Sequence, residues 1–196
     1  MAPAQASLLA KLDTQERVRD FLTNAVASGR ASHAYLFLGA PGAGKLDAAW
    51  ALAQAFLCEQ DGCGACDSCV RVARHTHPRR ALLHARERHG YLIAQTRELL
   101  DDVPLAPIRA KAKVYIIDRA EQLRANTANA LLKTLEEPPE GVMFILLGTS
   151  ADVMLPTIVS RCQCVPFRLV SPTVAAQAVS RATGQDIARC RMAVAV

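Results

Sequence analysis

No uninterrupted apolar run in this 196-residue chain approaches the roughly 20 residues a membrane-spanning helix requires. The first twelve residues, Met1 to Leu12, lack the cationic start and apolar centre of a secretion signal. With no span and no export signal, a cytoplasmic protein without membrane partners is expected. The polar, low-complexity composition of a disordered chain is also missing: 51% of the residues are hydrophobic, ample for a core. The length suits one medium domain, or one domain with a small appendage. Acidic residues are in short supply, 18 against 23 Lys and Arg, for a net charge of +5. That surplus tilts toward polyanionic partners, nucleic acid or nucleotide, without requiring either.

Four of the seven cysteines crowd into twelve residues: Cys58, Cys63, Cys66 and Cys69, leaving Cys162, Cys164 and Cys190 scattered. In a reducing compartment this spacing points to a metal rather than to disulfides. Paired cysteines at turns match tetrahedral zinc, and four thiolates leave no open position, so the expected role is structural. Buried free thiols are the bland alternative, disfavoured by the polar surround of Asp61, Gly62, Gly64 and Asp67. His75 or His77 stands near enough in sequence to replace one ligand.

Ala34-Tyr35-Leu36-Phe37-Leu38 runs straight into Gly39-Ala40-Pro41-Gly42-Ala43-Gly44-Lys45-Leu46. A strand emptying into a glycine-rich turn and then a helix makes a phosphate cradle: loop amides and the helix dipole face the anion, and the lysine reaches the outer phosphates. A plain tight turn is the alternative. The spacing fits G-x-x-x-x-G-K-[ST] except at Leu46, where a hydroxyl would hold magnesium. A second apolar run, Lys113 to Ile117, ends in Asp118, the place for a metal-directing acid. The next residue, where an ATPase needs a glutamate to orient water, is Arg119. Losing general-base action typically costs about 10² to 10⁴ in rate. Weak or absent ATP and magnesium binding, with hydrolysis improbable, is the expectation.

Around these motifs the pattern alternates. Residues 14–29 have helical spacing through Val18, Phe21, Leu22, Ala25 and Val26, with Asp13 or Thr14 as cap and Gly29 as stop. Residues 47–57 form a helix apolar nearly all round; 81–83 a short strand; 95–102 a helix. A helix over 125–137, a strand over 142–147, a short helix over 157–161 and an edge strand over 162–167 follow. Such alternation predicts a three-layer α/β domain on a parallel sheet. From Ser171-Pro172 a new helical segment begins, Gly184 breaks it, and another helix stops uncapped at Val196, as in a truncated piece. Arg161 sits at the corner after the short helix, either as a surface charge or aimed at a neighbour's phosphates. Arg71, Arg74, Arg79, Arg80, Arg86 and Arg88 make a basic stretch, a solvated face or an approach to a nucleic-acid backbone.

His33-Ala34-Tyr35-Leu36-Phe37, the glycine-rich loop, the four cysteines, Thr76-His77-Pro78, Lys113 to Asp118, Asn129-Ala130-Leu131-Leu132-Lys133-Thr134-Leu135-Glu136-Glu137-Pro138-Pro139 and Ser160-Arg161-Cys162 occur in that order. Together, over nearly the whole chain, they resemble the bacterial DNA polymerase III clamp-loader subunits of the AAA+ class. The resemblance implies a P-loop AAA+ α/β domain over residues 1–170, a zinc module inserted at about 58–69, and a partial helical lid over 171–196. Within the family, gamma/tau motors would carry Thr at 46 and Glu at 119, so Leu46 and Arg119 favour the delta-prime type; an ATP-hydrolysing motor is the alternative. The resemblance makes Arg161 a trans-acting arginine finger and Thr149 the sensor after the third strand. It places Gly39, Gly42, Gly44, Lys45, Leu46, Asp118 and Thr149 at a degenerate nucleotide site. Implied partners are the gamma/tau and delta subunits, with the sliding clamp and primer–template DNA reached indirectly. Against the family pattern, the cysteine module is shorter than is usual, Arg79 stands where an acid is common, the lid is incomplete and the collar domain is absent from this sequence.

Overall fold

A computed structural model describes residues 7–76, 80–83, 101–103, 112–123 and 125–194. Among the described residues, five strands form one parallel sheet: β1 (Ala34–Leu38), β2 (Arg80–Leu83), β3 (Lys113–Ile117), β4 (Val142–Gly148) and β5 (Gln163–Pro166). Their order is β2-β3-β4-β1-β5, so the two shortest strands lie at the edges, as expected for the cysteine-flanked segment; the short strand expected over 81–83 takes the other edge. Central β1 pairs with β4 (Tyr35 opposite Ile145) and with β5 (Leu36 opposite Cys164).

Strand side chains alternate between faces, and both faces of this sheet are covered. On one side Tyr35, Phe37, Val114, Ile116, Ile145 and Leu147 pack against α1 (Glu16–Ala27) and α2 (Lys45–Leu57). On the other, Leu36, Tyr115, Ile117, Phe144 and Leu146 pack against α4 (Ala125–Glu136) and the single turn α5 (Pro156–Val159) through Ala128, Leu131, Leu135 and Ile158. This double covering explains why β1, β3 and β4 read as continuous apolar runs. It also explains why α2 is apolar almost all round: Ala48 through Ala55 are buried without a break.

Three expectations need correction. The first helix is narrower than 14–29, and its N-cap position is Gln15, which makes no side-chain cap; neither Asp13 nor Thr14 caps it. Gln15 instead turns inward, its Nε2 donating to Ala43 O at 3.0 Å and to Arg168 O. Phe21, assigned to the core face, is 42% exposed, because the buried stripe runs through Val18 and Leu22. Helix α3 (Asp67–Ala73) had no clear periodic signal, since it starts within the cysteine cluster. The helix expected over 95–102 lies almost wholly outside the described residues.

After Ser171, whose Oγ accepts from Val174 N, come α6 (Pro172–Thr183) and α7 (Ile187–Val194), packed on each other. Gly184, left-handed at φ +69, ends α6 as expected. No helix among the described residues is long and apolar enough to cross a membrane.

Candidate functional site

The loop after β1 turns on three glycines with different duties. Gly42 and Gly44 have φ of +77 and +82, a region only glycine enters without strain. Gly39 is needed for space: a Cβ there would lie 2.7 Å from Phe167 O and 2.9 Å from Phe167 Cβ. Gly44 is the N-cap position of α2, so the first free amides of that helix open onto the loop.

Gly42, Gly44, Lys45 and Leu46 face Asp118, Arg119, Glu121 and Thr149 across a cavity of about 640 Å³. Lys45 Nζ donates to Gly39 O and, at 2.9 Å, to Ala40 O, folding back on its own loop. Burial holds the ammonium below its ordinary pKa, opposed by the nearby Glu121 and Asp118 carboxylates. Glu121, unnoticed in the sequence because it lies in a 3-10 turn (Ala120–Gln122), has a buried oxygen with no hydrogen-bond partner among the described residues. Arg119 takes the left-handed conformation, φ +51, at the tip following β3. Leu46 lines the cavity and also packs against the sheet's α1–α2 core. A second cavity of about 630 Å³, lined by Leu8, Leu12, Trp50 and Val179, shares Gly44 and Asp47 with the first.

The four expected cysteines converge: their Sγ atoms all lie within 4.8 Å of one another. Cys58 Sγ is 3.7 Å from Cys63 Sγ and 3.7 Å from Cys66 Sγ, and Cys63 Sγ is 3.9 Å from Cys69 Sγ. No pair forms a disulfide. A tetrahedron with metal–sulfur bonds of about 2.3 Å has edges of about 3.8 Å, so the donor set fits a tetrahedral metal. Backbone N–H groups of Ala65 and Cys66 bring the Cys63 thiol down to about 6, predisposing it to ligate as thiolate, whereas burial pushes the Cys69 thiol up. Cys58 and Cys69 are buried, contrary to the argument that a polar surround keeps these thiols exposed. His75 is not in the cluster; it packs edge-on against Trp50, with ring centroids 4.6 Å apart. His77 lies outside the described residues, as do Arg79, Arg86 and Arg88.

Arg161 does not line the cavity beside the glycine-rich loop. It follows α5 at a corner, where Nε donates to Glu136 Oε1 at 2.7 Å and Nη1 donates to Thr157 O at 2.9 Å.

Residues 14–171 match the family model described as DNA polymerase III, delta subunit. The DNA polymerase III subunit delta' of Bacillus subtilis is 41% identical over 165 residues, covering 82% of this chain and 49% of that protein. This chain belongs to the DNA polymerase III clamp-loader subunit family. The family's tau subunit from Escherichia coli is 42% identical over 152 residues, covering 76% of this chain and 23% of that protein. The chain thus spans half or less of the length of these relatives. Among solved structures, a gamma subunit-related protein of Thermotoga maritima superposes with TM-score 0.58 at 18% identity, covering 89% of this chain and 56% of that one. The RuvB Holliday junction branch migration motor of the same organism gives 0.60 at 15% identity, covering 92% and 55%. Both likenesses bear on the fold alone.

Proposed function

We propose that this chain is a delta-prime-type subunit of the sliding-clamp loader that hydrolyses no ATP itself and completes a neighbour's ATP site with Arg161. The observation carrying this reading is the divided chemistry. The phosphate cavity has an aliphatic Leu46 and a cationic Arg119 at the two positions hydrolysis depends on, whereas Arg161 stands apart, its side chain 32% exposed. A guanidinium cannot accept a proton from water, and an aliphatic side chain cannot ligate magnesium. Gly39, Gly42, Gly44, Lys45, Asp118 and Thr149 then form a relic cradle with weak or no nucleotide affinity. Gamma/tau and delta subunits are the direct partners, with the clamp and primer–template DNA reached through them in the cytoplasm. Residues 1–170 act as the AAA+ body and 171–196 as the first part of the lid. Zinc held by Cys58, Cys63, Cys66 and Cys69 supplies a structural crosslink and no chemistry.

A motor of the gamma/tau type is the second reading, favoured by the convergence of Lys45, Asp118, Thr149 and the Glu121 carboxylate on one cavity. ATPase assays on a loader reconstituted with the full-length subunit separate the two. Arg161→Ala should lower the loader's turnover severely, since such fingers contribute about 10³ to 10⁵ at a single site. Lys45→Ala should leave it nearly unchanged. The opposite pattern, with magnesium-dependent labelled-ATP binding by the isolated subunit, would establish the motor.

A further inference from the structure

The helix end that carries Glu136 is built against electrostatic preference. Glu136 is the last residue of α4, and Glu137 follows it, so two carboxylates sit at the negative pole of the helix dipole. Lys133 is the only base in that last turn. An acid here does nothing for the helix. Its side chain instead meets Arg161, twenty-five residues further along the chain, which donates to Glu136 Oε1 from both Nε and Nη2.

The remaining contacts of Arg161 complete a frame. Nη1 donates to Thr157 O at 2.9 Å and to Ser160 Oγ at 3.2 Å. Of five guanidinium N–H groups, one on Nε, two on Nη1 and one on Nη2 are therefore directed at this chain's own acceptors, leaving one Nη2 N–H uncommitted among the described residues. The frame has two fixed supports. Leu135, beside Glu136, is buried in the sheet's second core, and so is Ile158 of α5. Both members of the ion pair are partly exposed, at 32% and 48%. Pairs so placed contribute little to stability; what this one fixes is the direction of a long, otherwise freely rotating side chain.

We infer that Glu136 is the positioning residue of Arg161, holding the Nε edge of the guanidinium so that its free Nη2 N–H and open face are presented to a phosphate on a neighbouring subunit. This inference rests on the reading of Arg161 as a trans-acting finger. The arrangement serves a transition state because a finger already oriented loses no rotational freedom when charge develops on the phosphoryl oxygens.

The test is steady-state ATPase of the loader reconstituted with the full-length subunit. Glu136→Ala should lower kcat about two- to fivefold, the range to which an exposed pair's coupling corresponds, with KM for ATP unchanged. Glu136→Gln keeps an acceptor oxygen and should restore most of the loss. In an Arg161→Ala background, Glu136→Ala should have no further effect, since the two act as one unit. In the isolated subunit, the Arg161 Nε–H resonance should be protected from solvent exchange and lose that protection in Glu136→Ala. A wild-type or raised kcat in Glu136→Ala, alongside a strongly impaired Arg161→Ala, would overturn the positioning role and leave the finger standing. An unimpaired Arg161→Ala would overturn both.

Discussion

At the scale of single residues, the loop after β1 separates two reasons for glycine. Gly42 has open space where a Cβ would go but a φ of +77, so Gly42→Ala is limited to a backbone cost of about 1 kcal/mol. Gly39 has no conformational need, yet its missing Cβ lets the loop lie against Phe167. Gly39→Ala must push the β5 exit away and is expected to cost about 1–3 kcal/mol, as overpacking does. Urea denaturation of the two variants should rank Gly39→Ala as the more damaging; the reverse order would mean that the Phe167 contact yields easily. Leu46 follows similar logic. Its partly buried aliphatic chain packs against the α1–α2 core, a contact that a small hydroxyl side chain in its place would give up.

Among the elements, β3 shows how a strand becomes tied to its surroundings. Tyr115 is buried at 1% exposure, stacks on Phe144 with ring centroids 5.2 Å apart, and donates its hydroxyl to Asp102 Oδ2 at 2.6 Å. Lys113, on the same strand, pairs with Asp102 Oδ1 at 3.2 Å. Burial, reinforced by Asp102, pushes the Tyr115 phenol well above its usual value of 10.0. The unfolded chain therefore releases this proton first: the contribution is full below about pH 10 and is lost as pH rises beyond it. Tyr115→Phe should cost about 0.5–1.5 kcal/mol at neutral pH, and its stability should fall less steeply than that of the wild type between pH 9 and pH 11 in chemical denaturation. Parallel pH profiles for the two proteins would refute the assignment. The strands β1, β3 and β4 and the helices α2 and α4 were legible because their apolar periods are long and unambiguous. Helix α3 was not, because its capping group is the Cys66 thiol, which accepts from Cys69 N, and a cysteine gives no helix-start signal in a sequence. Phe21 misled for a related reason: helical spacing defines an apolar stripe, but only the neighbour decides how wide a stripe is covered.

For the whole molecule, the cysteine cluster is joined to the core rather than appended to it. Cys58 ends α2 and Cys69 lies in α3. Buried Gln54 links them to the rest, its Nε2 donating to Cys69 O at 3.1 Å while its Oε1 accepts from Leu8 N at 2.8 Å. Loss of a bound metal should therefore loosen α2, the helix that starts at the phosphate loop. A metal present at a hundredfold its dissociation constant stabilises by about 2.7 kcal/mol, so complete chelation should lower Tm by roughly 5–10 °C for a chain of this size. Four thiols should become reactive at the same time, and the metal should be released more readily at lower pH, where protons compete for the thiolates. An unchanged melting curve after chelation, with the four thiols reactive from the outset, would remove the metal from the account.

From the residues alone came the alternating α/β order, the glycine-rich loop with Leu46 and Arg119 at its two departures from the motif, and the four-cysteine spacing. Each is local: a period, a turn or a ligand interval recurs within a dozen residues, where the chain's covalent geometry already constrains it. Tertiary structure alone decided which distant groups meet. It brought Asp118, Glu121 and Thr149 to the wall opposite Lys45, turned Gln15 inward instead of leaving it as a helix cap, and set Glu136 against Arg161. Those pairings depend on how the strands are ordered in the sheet and on which helix covers which face, and no interval within the sequence encodes either.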